Sequence, residues 1–443
     1  MTGSLGRDRV TSGSGSPTGR RPGRPTCCNE TVSRARRLRR DPPAVLVHVR
    51  RSCASVPVAL AALALAACTA APHGSGGPTS TPSAPRAATT PTGAPPTAST
   101  GAPGAPCVAP PARWPLTGLA NELLMVVGEL TLARALAPEA RAGVGGFVLL
   151  GEPAAATGPA LRTALSDLVA AAAGAGRVRP WLSTDTEGGP VSRLANILGT
   201  IPSAREMTSS WTPGEVESAM RARGAALRGL GITMDLAPVL DTAPLTDPVA
   251  DESQRSFSST PAVVADYGIA YAAGLHAGGV VAVGKHFPGL GHASADTDTG
   301  PATDPSLAEL RSTDLVPFAR AVSSGLPAVM VGHPIVPGLT GGLPASLSPA
   351  TYVLLRRTLH FDGVAMTDAL SAGAISAAGY SEAAAAVAAV RAGADMAMVD
   401  ASTWEPVVDA LVHAFSQDAI PRAQVEASVA RVLAAKGVTV CVA

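Results

Sequence analysis

The stretch VVAVGKHFPGLG (residues 280–291) begins with four apolar residues, Val280–Val283, and continues into Lys285 and His286. A short run that is apolar throughout is typical of a strand covered on both faces, as in a parallel sheet. The two basic residues follow directly, so we expect them at the carboxyl end of that strand. Side chains from distant parts of a chain can meet where parallel strands end. The stretch therefore predicts an α/β fold with polar groups gathered at one edge.

Similar apolar runs recur on both sides of this stretch, separated by Ala-rich segments with helical features. The other predicted strands are Phe147–Leu150, Trp181–Thr184, Ile232–Leu236, Ala328–Gly332, Gly363–Met366 and Met396–Val399. The predicted helices are Pro213–Gly229, Pro261–Ala277, Ser306–Gly325, Ser381–Gly393 and Pro421–Lys436, several of which open with Pro or Ser. The number of alternating units predicts a single (β/α)8 barrel of the TIM type. A dinucleotide-binding sheet is disfavoured because no Gly-x-Gly-x-x-Gly turn follows the first strand.

Polar residues stand at or just beyond the ends of five predicted strands. They are Asp185 and Glu187, Asp235 and Asp241, Lys285 and His286, His333, and Asp368. The carboxyl ends of the strands form the active site in a TIM barrel, so these segments are expected to converge on one pocket. No metal site is expected because His and Cys do not cluster at ligand spacing. No cofactor is expected either.

The composition changes near residue 107, which predicts a folded domain over residues 107–443. Within residues 1–67, an apolar run at Val58–Ala67 follows Arg50 and Arg51 and ends before Cys68, as in a bacterial lipoprotein signal peptide. A membrane-spanning or buried helix is the alternative, but about 20 apolar residues are needed to span a bilayer. Residues 1 to about 45 do not resemble the start of a signal peptide, so the true translation start is expected downstream.

Residues 68–106 contain a lipidation site at Cys68 and then a Pro/Thr/Ser/Ala-rich linker. Such a composition buries little apolar surface and predicts a disordered tether. We therefore expect the domain at the extracytoplasmic face of the plasma membrane, with membrane contact through the lipid anchor only. A net charge of +1 with 15% charged residues argues against nucleic acid as a partner.

The remaining cysteines divide by position. Cys27, Cys28 and Cys53 precede the expected lipidation site and would be absent from the mature protein. Cys107 and Cys441 flank the domain, and an even pair in an oxidising compartment predicts a disulfide. Two free thiols are the alternative.

The string Lys285–Gly291 closely resembles the K-H-F-P-G motif of glycoside hydrolase family 3. Further matches follow in the family's order: Asp185–Gly189 with Arg193, Met234–Asp241, Arg255–Phe257, Pro344–Ser348 and Phe361–Leu370. The domain ends after one barrel, which is similar to the β-N-acetylglucosaminidase branch that acts on cell-wall fragments. The resemblance implies a retaining enzyme that hydrolyses terminal β-linked N-acetylglucosamine from amino-sugar oligosaccharides or muropeptides through a covalent glycosyl-enzyme. A monomer is expected.

The resemblance also implies residue roles. Asp368 matches the nucleophile, and Asp185, Arg193, Arg255, Lys285 and His286 match residues that hold the sugar. A retaining mechanism requires such a carboxylate beside the anomeric carbon, whereas a helix N-cap is the structural alternative for Asp368. Asp235 and Asp241 are expected to support loops. His333 is expected either to support a neighbour or to contact sugar.

The acid/base position departs from the family. Where the family has Asp-Ser-His, this chain has Asp296-Thr297-Asp298, and Pro190 replaces a usual arginine. Three interpretations remain: Asp298 is the acid/base with Asp296 supporting its loop, His292 takes that role, or hydrolysis is lost. A non-hydrolytic sugar-binding lipoprotein, a β-glucosidase or β-xylosidase, and a glycoside phosphorylase are therefore alternative functions.

Overall fold

The computed structural model describes residues 107–153, 157–244 and 252–441. The predicted signal peptide, the lipidation site at Cys68, the linker up to residue 106, and Cys27, Cys28 and Cys53 lie outside the described residues.

Eight parallel strands close into one barrel, which confirms the predicted TIM-type fold. The strands are β1 Leu124–Glu129, β2 Gly146–Leu150, β3 Trp181–Thr184, β4 Met234–Asp235, β5 Val281–Phe287, β6 Ala328–Val331, β7 Val364–Ala369 and β8 Met396–Asp400. Each strand pairs with its neighbours in chain order, and β1 pairs with β8 to close the ring. A short antiparallel hairpin, Thr186–Gly188 with Val191–Ser192, extends from the end of β3.

Helices surround the barrel. They are α1 Leu116–Glu122, α2 Ala137–Ala142, α3 Gly158–Gly174, α4 Ala195–Leu198, α5 Ala204–Ser210, α6 Pro213–Leu230, α7 Glu252–Arg255, α8 Pro261–Ala277, α9 Leu307–Leu310, α10 Leu315–Ser323, α11 Pro349–Val353, α12 Gly373–Ala377, α13 Glu382–Ala392, α14 Trp404–Ser416 and α15 Arg422–Ala435. Shorter turns of 3₁₀ helix lie at Pro111–Arg113, Leu130–Leu136, Ala345–Leu347 and Ala401–Thr403, and a π turn lies at Leu354–Thr358. None of the helices in the described ranges is long and apolar enough to cross a bilayer.

Several predicted boundaries were wrong. The strand β1 was missed, because its apolar residues continue directly from those of α1 without a turn signal. The predicted helix Ser306–Gly325 is two helices, α9 and α10. Pro317 lies in the first turn of α10, where its missing N–H is tolerated, whereas it would interrupt a continuous helix.

Two strand predictions also needed correction. The ladder of β4 covers only Met234–Asp235 of the predicted Ile232–Leu236, although the backbone N–H groups of Thr233 and Leu236 still donate to β3. In contrast, β5 continues through Phe287, so Lys285 and His286 belong to the strand itself. Their side chains are therefore held by the barrel wall.

The barrel interior is packed largely with methionine. Six methionines from β1, β4, β6, β7 and β8 lie there together with Val148, Trp181 and Val283. An unbranched thioether side chain adapts to irregular space, so methionine can fill the tapering interior without large voids. Met330 and Met398 form part of the floor of the cavity described below.

The two ends of the domain are joined. Cys107 and Cys441 form the predicted disulfide, with their Cα atoms 5.0 Å apart. Next to it, the N–H of Val108 donates to the carbonyl of Thr439 and the N–H of Cys441 donates to the carbonyl of Val108, at 2.9 and 2.8 Å. The bond therefore closes nearly the whole barrel into one covalent loop.

The double change Cys107→Ser and Cys441→Ser is expected to lower the free energy of unfolding by up to about 5 kcal/mol, because the unfolded chain gains loop entropy. Denaturant unfolding of oxidised protein measures this loss. Reductant should reproduce the loss in the original chain and have no effect on the double variant. Equal stability of oxidised and reduced protein would contradict the expectation.

Candidate active site

A cavity of about 720 Å³ opens at the carboxyl ends of the strands. Eight residues predicted from the sequence line it: Asp185, Arg193, Arg255, Lys285, His286, Asp296, Asp298 and Asp368. His292 is not among its lining residues, and its Nδ1 instead lies 3.3 Å from Oδ2 of Asp314. The structure therefore brings together all but one of the residues that the sequence assigned to catalysis or sugar binding, whereas Asp235, Asp241 and His333 also lie outside the lining.

One wall of the cavity is a buried network of ion pairs. Lys285 Nζ lies 2.7 Å from Oδ1 of Asp185 and 2.6 Å from Oε1 of Glu187. Arg255 donates two further hydrogen bonds to Glu187, at 2.8 and 2.9 Å. Burial opposes ionisation of Glu187, but Arg255 and Lys285 hold its pKa well below its usual range.

The same network keeps the lysine charged. Burial would lower the pKa of Lys285, but the carboxylates of Asp185 and Glu187 outweigh it and raise the pKa. Charged donors hydrogen-bond strongly to polar ligand groups in a site with little water. This wall can therefore bind several hydroxyl groups of a sugar with fixed geometry.

His286 is oriented by the fully buried Asp241. Oδ1 of Asp241 accepts hydrogen bonds from the backbone N–H groups of His286 and Leu290, both at 3.0 Å. Its Oδ2 lies 2.7 Å from Nδ1 of His286. Burial disfavours the imidazolium, but Asp241 raises the pKa of His286 above its usual value. The other ring nitrogen, Nε2, lies 3.9 Å from Oδ2 of Asp368.

Asp368 lies one residue before the end of β7. Its Oδ1 accepts a hydrogen bond from the N–H of Ala369 at 2.8 Å, which leaves Oδ2 on the side of His286. The next helix, α12, begins at Gly373 and has no side-chain cap, so Asp368 is not a helix N-cap. Burial opposes ionisation, but His286 and then His333 lower the pKa of Asp368. Asp368 is therefore an anion at neutral pH.

Asp298 lies on the loop of residues 291–304, which reaches over the cavity. Its N–H donates to Oδ1 of Asp296 at 2.8 Å, and its carbonyl accepts from the N–H of Gly373 at 2.8 Å. A Cβ at position 373 would lie 2.5 Å from the carbonyl carbon of Thr299, so this close docking requires glycine. The Asp296 side chain thus supports the loop backbone, as the sequence predicts.

The pKa values of Asp298 and Asp368 are shifted in opposite directions. Asp298 remains exposed at the cavity mouth, but the surrounding protein removes part of its hydration. This partial burial, followed by the negative charges of Asp368 and Asp296, raises the pKa of Asp298. Separated pKa values of two carboxyl groups in one site allow one to act as a base or nucleophile and the other as an acid.

The two remaining aspartates, Asp235 and Asp241, were predicted to support loops, and both accept hydrogen bonds from the backbone. Asp241 accepts from the N–H groups of His286 and Leu290. Oδ1 of Asp235 accepts from the N–H of Thr186 at 2.9 Å, and its Oδ2 accepts from the Thr186 hydroxyl. Burial raises the pKa of Asp235 to about 7 against these hydrogen bonds.

Sequence reasoning missed some of the lining residues. Glu187 was expected at the pocket but was given no role there, and Ser371 and Asp400 were not considered. Asp400 is the residue after the predicted strand Met396–Val399, so the rule that found Asp185 could have found it. Nowhere in residues 107–153, 157–244 and 252–441 are three or more His, Cys, Asp or Glu residues placed to hold a metal ion.

Comparison with known proteins agrees with this geometry. Residues 134–435 match the glycosyl hydrolase family 3 N terminal domain. The chain belongs to glycosyl hydrolase family 3. It is 41% identical over 321 residues to the beta-hexosaminidase LpqI of Mycobacterium tuberculosis, which covers 71% of this chain and 81% of that protein.

Two solved structures of the family extend the comparison. A glycosyl hydrolase family 3 member from Mycobacterium smegmatis has a TM-score of 0.67 and 40% identity, with 73% of this chain and 98% of that chain covered. A family 3 β-N-acetylglucosaminidase from Paenibacillus has a TM-score of 0.68 and 32% identity, with 73% and 62% covered. The predicted family and the prediction of a glycoside hydrolase are thereby confirmed.

The change Asp241→Asn is expected to move the acid limb of the kcat/KM profile to higher pH. Without the Asp241 anion, buried His286 loses its proton at a lower pH. Asp368 then loses the cation that lowers its pKa, so Asp368 protonates at a higher pH. The measurement is kcat/KM for an aryl glycoside across pH, which reports ionisations of the free enzyme.

Asp266→Asn is a matched control, because Asp266 is half exposed and pairs only with Arg320 on the barrel surface. It should leave the profile unchanged. An acid limb in Asp241→Asn that coincides with that of the original enzyme would refute the coupling.

Proposed function

We propose that this family 3 enzyme is a retaining β-N-acetylglucosaminidase that removes terminal β-linked N-acetylglucosamine from cell-wall fragments. One observation carries the proposal: an ionised Asp368 and an Asp298 with a raised pKa line the same cavity. The N-acetyl preference and the amino-sugar substrate are supported by the names of the relatives from Mycobacterium and Paenibacillus. The barrel mouth is the usual site of catalysis in this fold.

The first half-reaction uses both carboxyl groups. Oδ2 of Asp368 attacks the anomeric carbon while the carboxylic acid of Asp298 gives its proton to the glycosidic oxygen. The bond between the anomeric carbon and that oxygen breaks, and the aglycone leaves as a neutral alcohol. Asp185, Lys285 and Arg255 hold the sugar hydroxyls during this step.

The second half-reaction releases the sugar. The Asp298 carboxylate takes a proton from water as the water oxygen attacks the anomeric carbon. The ester bond to Asp368 breaks and the Asp368 carboxylate is regenerated. Two displacements return the sugar with its original β configuration, and Asp298 regains its proton for the next cycle.

Three observations favour this function over the alternatives. Partial burial, followed by the charges of Asp368 and Asp296, raises the pKa of Asp298, which suits a group that must give up a proton and which the binding-only alternative does not need. His292 points to Asp314, which disfavours the second acid/base interpretation. Asp296, Asp368 and Asp400 line the cavity together with Asp298, and their negative charges oppose the approach of phosphate to the proposed acid/base, which disfavours phosphorolysis.

The location belongs to the same proposal. Lipidation at Cys68 would place the domain on the outer face of the plasma membrane, where muropeptide fragments occur. The disulfide between Cys107 and Cys441 supports an oxidising location, and a relative from Arthroderma benhamiae is named a secreted glycosyl hydrolase.

Cys68→Ala should move the protein from the membrane fraction to the soluble fraction of its host. A variant that stays in the membrane fraction would exclude a lipid anchor at this residue.

Variants of the two carboxyl groups test the mechanism. Asp368→Ala should abolish release from an aryl β-N-acetylglucosaminide, and a mechanism-based fluoro-sugar should label Asp368 in the original enzyme. Aryl β-glucoside and β-xyloside serve as comparison substrates for the N-acetyl preference. Equal turnover of all three would contradict that preference, and a label on another residue would contradict the nucleophile.

The change Asp298→Ala tests protonation of the leaving group separately from attack by Asp368. A good leaving group such as dinitrophenolate needs no proton, so formation of the glycosyl-enzyme should be little affected for that substrate. For a substrate with a poor phenol leaving group, the rate of this step should fall by about 10²- to 10⁴-fold, the usual contribution of a general acid. Added azide should rescue turnover and yield a β-glycosyl azide. His292→Ala is the matched control. A loss of activity in His292→Ala and not in Asp298→Ala would assign the acid/base role to His292.

A further inference from the structure

A hydrogen-bond relay of Ser346 and His333, neither of which lines the cavity, ends on Ala369 beside the proposed nucleophile. Nδ1 of His333 lies 2.7 Å from the hydroxyl oxygen of Ser346, and Nε2 of His333 lies 2.9 Å from the carbonyl oxygen of Ala369. Both His333 and Ser346 are buried. His333 is absent from the cavity lining, so the alternative of a direct sugar contact is disfavoured.

The partners determine the tautomer of His333. A carbonyl oxygen can only accept a hydrogen bond, so Nε2 must carry the hydrogen. Burial lowers the pKa of His333, although Asp368 opposes the shift, and the ring is therefore neutral at neutral pH. In a neutral ring with hydrogen on Nε2, Nδ1 is an acceptor. The Ser346 hydroxyl must then donate to Nδ1.

Ser346 is itself fixed in place. Its N–H donates to the carbonyl of Gly332 at 3.0 Å, and its carbonyl accepts from the Tyr352 hydroxyl at 2.8 Å. Its side chain can therefore present one hydroxyl to His333 in a constant position. Without that donor, the ring could move its hydrogen to Nδ1 and lose the bond to Ala369.

The relay ends on the backbone that holds Asp368. The peptide group between Ala369 and Leu370 is held at both ends, because His333 donates to its carbonyl and its N–H donates to the carbonyl of Met398 at 2.9 Å. The N–H of Ala369 in turn donates to Oδ1 of Asp368. Fixing Ala369 thus fixes the carboxylate plane and leaves Oδ2 as the attacking oxygen.

We infer that Ser346 and His333 are positioning residues that hold Asp368 in its attacking orientation, with Ser346 selecting the His333 tautomer. This inference rests on the proposed role of Asp368 as nucleophile. Neither residue touches the sugar in this arrangement. Their loss should therefore affect the attack on the anomeric carbon much more than binding of the sugar.

The expected kinetic signature is a loss in kcat with little change in KM. His333→Phe keeps a ring of similar shape and removes the Nε2 donor, and a small misplacement of a reacting group can lower the rate by up to about 100-fold. We expect a fall of about 10- to 100-fold in kcat and a similar fall in the rate of labelling by the fluoro-sugar. His333→Gln can place an amide N–H near the position of Nε2 and should recover most of the lost rate.

The tautomer provides a readout that a purely structural role would not change. The ¹⁵N chemical shifts of a histidine ring report which nitrogen carries the hydrogen, and His333→Phe identifies the His333 signal. Ser346→Ala should move that signal toward the Nδ1–H form and lower kcat. Ser348→Ala, at a buried serine two residues away, is the matched control and should change neither the signal nor kcat.

The outcomes separate this inference from the proposed function. If Asp368 is labelled in the original enzyme and His333→Phe is labelled at the original rate, the positioning role is wrong. The role is also wrong if His333→Gln is no better than His333→Phe, or if Ser346→Ala leaves the tautomer unchanged. If Asp368→Ala retains activity, the nucleophile assignment fails instead. Binding of N-acetylglucosamine to each variant confirms that the fold is intact.

Discussion

Lys285 lies between two carboxylates, and this pairing allows the acidic wall of the cavity to be buried. An isolated charge in a protein interior costs several kcal/mol even after relaxation, and a pair is tolerated only when its partners are well placed. Glu187 is shared between Lys285 on β5 and Arg255 on α7, while Asp185 follows β3. The wall proposed to bind the sugar is therefore one network that joins three parts of the chain. Loss of any member would leave a buried charge without compensation.

The same principle of local compensation separates the two carboxyl groups proposed to react. Asp368 is the more deeply placed, yet its pKa is lowered, because His286 and His333 lie close to it. Asp298 is more exposed, yet its pKa is raised, because partial burial and then the negative charges of Asp368 and Asp296 act in the same direction. Burial alone would predict a higher pKa for Asp368 than for Asp298. The charges and hydrogen-bond donors around each group set the direction of its pKa shift, and Asp241 contributes indirectly by raising the pKa of His286.

The sequence was sufficient to predict the barrel and most of the cavity, since both depend on patterns along the chain. Seven of the eight strands were found from apolar runs, and strand ends located the polar residues. The hydrogen-bond partners of the site residues were not predictable in the same way. His286 was expected at the site, but the carboxylate that orients it, Asp241, lies 45 positions earlier and was assigned only to loop support. The direction of His292 and the tautomer of His333 likewise depend on which side chains the fold brings together.

In the proposed acid/base role, Asp298 differs in charge from the histidine that the family has at this position. An imidazolium acid is positive before proton transfer and neutral afterwards, whereas a carboxylic acid is neutral before transfer and negative afterwards. The glycosyl-enzyme would therefore face an anionic base, with Asp296 and Asp400 nearby on the same cavity. A neutral acceptor such as water can approach this base and give up a proton, but an anion such as phosphate meets repulsion that low-dielectric surroundings strengthen. A carboxyl group in the proposed acid/base role would therefore favour hydrolysis over phosphorolysis, and the raised pKa of Asp298 acts in favour of the acid form that the first step needs.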